Sequence, residues 1–398
     1  MPGRILRLYR DAFGGLPPEV WRVALALLVN RAGTMVLPFL GLYLVGPLGL
    51  TTGRAGALLA VWGVGSIVGS WVGGALCARL GPLRVQELSL ILGGLGLLVL
   101  PLARSLAFLV PLLFAVSAVS DAFRPASMTS AIELAPAEMR TRSLALVRMA
   151  ANFGMAIGPA VGGVLAAIDY RWLFVVDGAT CFLAAAVLIR SIPAQRRAVP
   201  AAVREAHGLA AHRDLAFVAY LGVVFVTALV FFQIFSTLPV YLAKERGFDE
   251  PRIGLVFAVN AALVVALEMV VVRALERRDP APIVATGCVL LCAGFALTGV
   301  APSFPAVLAT VVVWTVGEML LLPFSNGLVA QRAPAGRGGE YMGWFTATYS
   351  LAFIVAPPLG FAAYGRLGGR ALWLGVAALA IPTAFAARRA ATRLRAPV

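Results

Sequence analysis

The sequence predicts an all-α polytopic membrane protein, with twelve transmembrane helices in two pseudo-symmetric six-helix bundles. Three observations carry that expectation. Of the 398 residues 61% are hydrophobic and 13% charged, with a mean hydropathy of +0.91, which is too apolar for a soluble globule of this length. Apolar runs of about 20 residues, long enough to cross the hydrocarbon core, recur twelve times and are continuous rather than alternating, so a β-barrel is excluded. Shifted by 198 residues, the chain also lies over itself: Tyr43 falls on Tyr241, Arg54 on Arg252, Arg79 on Arg277, Pro82 on Pro280, Pro125 on Pro323, Pro136 on Pro334 and Pro159 on Pro357. Chance alignment in an Ala- and Leu-rich chain would match leucines but would not keep matching Pro, Arg and Tyr. Parallel membrane repeats are a transporter architecture, with the substrate site between them near the midplane.

The expected spans run in order over 20–45, 54–78, 84–103, 105–132, 142–168 and 172–190, then 215–243, 252–275, 281–301, 304–330, 341–364 and 370–387. Arg4, Arg7 and Arg10 precede a first apolar run too long for a cleaved signal peptide, so span one is expected to stay in the mature protein. The expected domains are a first bundle over 1–190, a linker over 191–214 and a second bundle over 215–398. Most of the 33 Lys and Arg residues fall on the side that holds both termini, the linker and the even-numbered connections. By the excess of basic residues on that side, both termini are cytoplasmic. The charge of +15 therefore reads as topology and not as nucleic-acid binding. Lys244 is the one lysine among many arginines, a coding bias that points to a bacterial cytoplasmic (inner) membrane.

His207 and His212 in the linker read as solvated rather than as a metal pair. Cys77, Cys181, Cys288 and Cys292 are too few and scattered for a disulfide framework and read as small packing residues. Neither a cofactor nor a metal is expected, and nothing in the chain specifies an oligomer, so a monomer is expected. No nucleophile–base pair and no GxxxxGK[ST] phosphate loop appears, which argues against an enzyme or an ATP-driven pump.

Span five contains GMAIGPAVGG, with Gly154, Gly158, Pro159, Gly162 and Gly163. Small residues four apart let a neighbouring backbone approach, and the proline removes a helix hydrogen bond. After span two comes GALCARLGPLR, with Gly74, Arg79, Gly81 and Arg84 around a tight cytoplasmic turn. Together these resemble motifs of twelve-helix drug:proton antiporters in the major facilitator superfamily, and the repeat, linker and span count are similar along the whole chain. The resemblance implies proton-driven efflux of a drug or metabolite. Ala78 stands where the family's turn usually has Asp, so the charge lock of that turn is altered. Glu133, at the cytoplasmic end of span four, resembles the family's acidic partner and is expected to face Arg79 or Arg84. Arg124 comes late in span four, and the family's proton-transfer role is not carried over to it.

Ionisable groups inside spans each cost roughly 2.5 to 3.5 kcal/mol at the bilayer centre and should face a cavity. They are Arg31, Asp121, Arg124, Arg148, Asp177, Glu268 and Glu318. Ser117, Ser120, Asp121 and Arg124 form a polar stripe on span four, where Arg124 one turn on would hold Asp121 charged in an ion pair. Glu268 and Glu318 have mainly apolar neighbours one turn away, where desolvation penalises charge, and these two are the better proton carriers, with Asp121 third. The substrate-binding set is Asn30, Arg31, Arg124, Arg148, Asn152, Gln233, Asn260, Trp314 and Tyr349. Arg31 and Arg124 have a second reading, in which they neutralise Asp121 and hold spans one and four together. An arginine left unpaired would imply a substrate with an acidic or strongly polar group. Asp177, near the outer end of its span, reads as an interfacial or helix-contact residue.

The expected function is export of a small organic molecule against proton entry by alternating access. Uptake of a polar or anionic metabolite is the first alternative. A non-transporting membrane sensor or scaffold is the second, and it leaves the intramembrane charges unexplained.

Overall fold

A computed structural model describes residues 14–103, 105–136, 139–191, 211–334 and 337–394. Most of the linker, His207 included, and Arg4, Arg7 and Arg10 lie outside the described residues. Eleven helical stretches there are long and apolar enough to cross a membrane, from Pro18–Val45 to Glu340–Leu394. The last runs through Gly368 at φ 79° and ψ 167°. That left-handed backbone suits a residue without a Cβ and divides the stretch into spans eleven and twelve.

The chain groups into two compact units: Met1–Val36 with Val61–Ala202, and Leu37–Ala60 with Val203–Val398. In the first, the N-terminal helix of span one, Pro18–Gly33, packs against spans five (Arg140–Ile168) and six (Arg171–Ser191), and span three (Pro82–Val99) packs against span six. In the second, span nine (Pro280–Thr298) packs against span ten (Phe304–Arg332) and the Gly338–Leu394 stretch, and span eight (Glu250–Leu275) against span ten. Residues 37–60 make their contacts in the second unit, where the Phe39 ring lies 6.3 Å from Phe257.

Prolines decide where the helices break. Span one stops at Gly33 and resumes at Val36; Pro38, four residues after Thr34, has no N–H for the Thr34 carbonyl, and its ring crowds that position. Span seven uses the same device. Its helix Leu215–Phe231 tightens to a 3-10 turn at Phe232–Phe235 before Thr237–Lys244, and Pro239 stands four residues after Phe235. Span four is interrupted at Ala122, between Leu106–Asp121 and Phe123–Glu133. Here Pro125 frees the Asp121 carbonyl, which accepts a 3.4 Å hydrogen bond from Ser70 Oγ of span two.

Candidate functional site

Each unit has its own polar centre, and the break in span one places the first of them. In the first unit Arg31 sits in the last turn before the break in span one. Span five is drawn against that turn by its glycines: a methyl on Gly154 would stand 2.5 Å from Arg31 Cβ and 2.7 Å from the Leu28 carbonyl oxygen. One on Gly158 would stand 2.9 Å from the Thr34 carbonyl. The backbone N–H groups of Met35 and Val36 both donate to Asp177 Oδ2 at 3.4 Å, that of Met35 also to the Gly33 carbonyl at 2.7 Å. Asp177 is 6% exposed, so of its two expected readings the helix-contact one applies: it is a buried cap on the C-terminal helix of span one. On the same span, Cys181 Sγ accepts from Asn30 Nδ2 at 3.4 Å.

Arg31 lies in electrostatic range of Arg124, Asp121 and Asp177. The expected ion pair between Asp121 and Arg124 is not formed. The backbone does not explain this, because Ala122 between them keeps helical φ −61° and ψ −23°; the exposed Arg124 side chain is simply not turned to Asp121. Among the described residues Arg31, Arg124 and Arg148 form no ion pair. Asp121 is half-buried, while Arg124, Arg148 and Asn152 are exposed.

The turn motif is built differently from its expected form. Gly81 takes φ 79° at the start of span three, and Arg79 and Arg84 are exposed. Glu133 forms no ion pair with either among the described residues. No atom lies within 4 Å of where a Cβ on Gly74 would be, so this glycine mediates no close approach. What ties spans three and four together is Gln86, fully buried. Its Nε2 donates to Ser130 Oγ at 2.6 Å and its Oε1 accepts from Ser127 Oγ at 3.2 Å. Sequence reading had no reason to single out this glutamine.

In the second unit the centre is an acid. Asn260 Nδ2 of span eight donates to Glu318 Oε2 at 2.8 Å and to Thr315 Oγ1 at 3.0 Å, both on span ten. Glu318 opens on a small recess with Thr227, Phe231, Leu291, Leu322 and Tyr349, and Glu268 is within its electrostatic range. Two residues expected at the substrate are packed elsewhere. Trp314 is wholly buried with its ring stacked on Phe295 at 5.1 Å. Gln233, 5% exposed, ties the broken turn of span seven to the Gly338–Leu394 stretch: its amide donates to the carbonyls of Leu229 in span seven and Ala356 in that stretch, and its oxygen accepts from the hydroxyls of Thr237 and Ser236.

Away from these centres lies a charged clasp that sequence reading also passed over. Asp214 caps span seven by accepting from the Phe217 N–H at 3.2 Å. It also accepts from Arg332 at 2.6 and 3.0 Å and from the Tyr341 hydroxyl at 3.1 Å. An Asp directly before the apolar run LAFVAYL is a helix-start signal that could have identified the cap.

The model of the Major Facilitator Superfamily matches residues 23–357, and again 225–395. The chain is 26% identical over 394 residues to an MFS-type transporter, YqjV, of Bacillus subtilis (strain 168), covering 94% of each. It is 25% identical over 329 residues to the multidrug resistance protein MdtH of Aeromonas hydrophila, covering 81% of this chain and 82% of that one. A crystal structure of a POT family transporter in complex with 5-aminolevulinic acid superposes with a TM-score of 0.81 at 15% identity, over 96% of this chain and 98% of the other. That last likeness is one of fold.

Proposed function

Because the chain belongs to the major facilitator superfamily and is therefore a multi-pass membrane transporter of small molecules, we propose that it works as a proton-driven exporter in a bacterial cytoplasmic membrane, with both termini inside. The observation that carries proton coupling is Glu318, a carboxylate within a span, held by Asn260 beside an apolar recess. A carboxylate there is costly when charged and much less so when protonated. Its two protonation states therefore favour different arrangements of the helices around it, which is what coupling requires. Glu268 is within electrostatic range and is the next station for the proton. Efflux rather than uptake is favoured by the Gly154–Gly163 motif of span five and by the similarity to a multidrug resistance protein.

The test is proton movement in proteoliposomes under an imposed pH gradient while cationic, neutral and anionic compounds are added, for wild type and Glu318→Gln. Compound flux opposite to proton flux, lost in the variant while exchange of compound persists, is the expected result. Flux of both in one direction would replace export by symport. Compound flux without protons would make this a uniporter and Glu318 a structural acid.

A further inference from the structure

We propose that the exposed face at the end of span twelve binds an anionic phospholipid, with the phosphodiester at Arg388, Arg389 and Arg393 and an acyl chain along Phe385 and Ile381. The end of the Gly338–Leu394 stretch has two faces that follow the helical period. Thr383, Ala387, Ala390, Ala391 and Leu394 are buried. Ile381, Phe385, Arg388, Arg389, Thr392 and Arg393 are exposed and share the opposite side; Ile381 is 78% and Phe385 59% exposed. The buried face holds the helix end in place. Its Leu394 carbonyl accepts from Arg332 Nη1 at 3.4 Å, and Arg332 is itself fixed by Asp214.

Charge and depth select the ligand. After Glu340 the chain contains no Asp or Glu, and Glu340 is taken by Arg337 and by the Ala211 N–H. Among the described residues Arg388, Arg389 and Arg393 form no ion pair. The Arg389 guanidinium lies over the Phe385 ring, 4.5 Å from its centre, a cation–π contact. Phe385 is one turn nearer the bilayer, so Arg389 reaches back towards the lipid, whereas an arginine at a span end ordinarily snorkels into water. The anion available at that level is a lipid phosphate, whose oxygens match the planar fork of guanidinium donors. In phosphatidylcholine that phosphate brings its own ammonium, which three arginines repel, so an anionic headgroup is favoured. Ile381 and Phe385 continue the face into the hydrocarbon, which suits an acyl chain and not a free phosphate.

The site stands apart from the direction of transport and from proton coupling. To test it, the purified full-length protein is equilibrated with vesicles of equal parts phosphatidylglycerol and phosphatidylcholine of one chain length, extracted in detergent, and its retained lipids are identified by native mass spectrometry. Phosphatidylglycerol should be enriched over the vesicle ratio, with each arginine near the surface favouring the anionic lipid about fivefold. Arg389→Gln should therefore lower the enrichment about fivefold, and Arg389→Gln combined with Arg393→Gln should lower it further. Phe385→Leu, which keeps an apolar surface but releases Arg389, should have a smaller effect. Arg370→Gln removes the same charge at the other end of the helix and should leave the enrichment unchanged. These side chains are all exposed, so folding is not at stake. An excess of inorganic phosphate should not displace the lipid. No enrichment in the wild type, an enrichment unchanged in the double variant, or an equal loss in Arg370→Gln would overturn the proposal. Displacement by phosphate would also overturn it, in favour of a site for free anions.

Discussion

The two repeats share a backbone plan and differ in what they do with polar groups inside the membrane. In the first unit the embedded ionisable groups are three arginines and the aspartates Asp121 and Asp177, and the arginines stand without ion pairs among the described residues; at the same repeat positions the second has Leu229 for Arg31, Leu322 for Arg124 and Thr346 for Arg148. In the second unit the embedded charges are the acids Glu318 and Glu268, matched in the first by Ser120 and Ser70. Glu318 is met by a purpose-placed amide. A duplicated scaffold has thus diverged into a half whose spans hold arginines and aspartates together and a half whose spans hold two glutamates. Both breaks in the leading spans, at Gly33 and at Phe232–Phe235, are satisfied by a side chain. The first uses the carboxylate of Asp177 and the second the amide of Gln233.

The largest contrast is at the Asp214 clasp, for which the first repeat has Leu16, Leu134 and Ser143, with both leucines buried. The Arg332 and Asp214 side chains are 8% and 2% exposed. Replacing Asp214 by Leu strands a buried guanidinium, expected to cost about 3 to 5 kcal/mol in thermal unfolding. Asp214→Leu combined with Arg332→Leu copies the first repeat and should recover most of that loss, since a buried pair replaced by apolar groups is often neutral. A double variant as unstable as the single one would mean the two corners are not equivalent. Burial works against the Asp214 charge, but Arg332, the Phe217 N–H and the Tyr341 hydroxyl outweigh it and hold the carboxyl below its ordinary 3.8. Its contribution is therefore present above about pH 4 and is lost only as pH falls through that lowered value. The gap between wild type and Asp214→Leu should stay constant from about pH 5 to 8.

A smaller effect is expected where the repeats differ by one methyl. Gly154 and Gly158 correspond to Ala352 and Ala356, both fully buried. Gly154→Ala presses a Cβ onto Arg31 and the Leu28 carbonyl, and overpacking of this kind costs about 1 to 3 kcal/mol. Gly74→Ala, with nothing near the added Cβ, should leave the unfolding temperature unchanged. If both variants behave alike, the close approach of spans one and five contributes nothing.

The spans and the repeat were legible because hydropathy and the spacing of Pro and Arg are local properties of the chain. Even the break after Gly33 can be read from Pro38. Its partner cannot, because Asp177 is 142 residues from Met35, and only packing joins them. Helical spacing misled at Asp121 and Arg124, since it fixes that the two share a face but not the rotamers that would bring their charges together. It misled again at Gln233, where a polar residue within a span was read as facing a cavity. The Leu229 carbonyl, the hydroxyls of Ser236 and Thr237 and the Ala356 carbonyl of another helix supply its partners. Glu318 stood out by its apolar neighbours in sequence. Asn260, on another helix, was chosen as a substrate contact, and its hydrogen bond to Glu318 makes it a support for the acid instead.

The finest test of the comparison is at the break in span one, where a carboxylate does what an amide does in span seven. If Asp177 acts as an acceptor, Asp177→Asn keeps an oxygen for the Met35 and Val36 N–H groups and should remain close to wild type in stability and transport. Asp177→Ala removes the acceptor, and by analogy with lost helix caps should cost about 1 kcal/mol. It should also speed hydrogen exchange at the Met35 and Val36 amides and slow turnover several-fold, because Arg31 sits two residues before the break. The opposite pattern, with Asp177→Asn falling as far as Asp177→Ala, would show that the charge matters and not the oxygen. Asp177 would then act as the counter-charge of Arg31 and not as a helix cap.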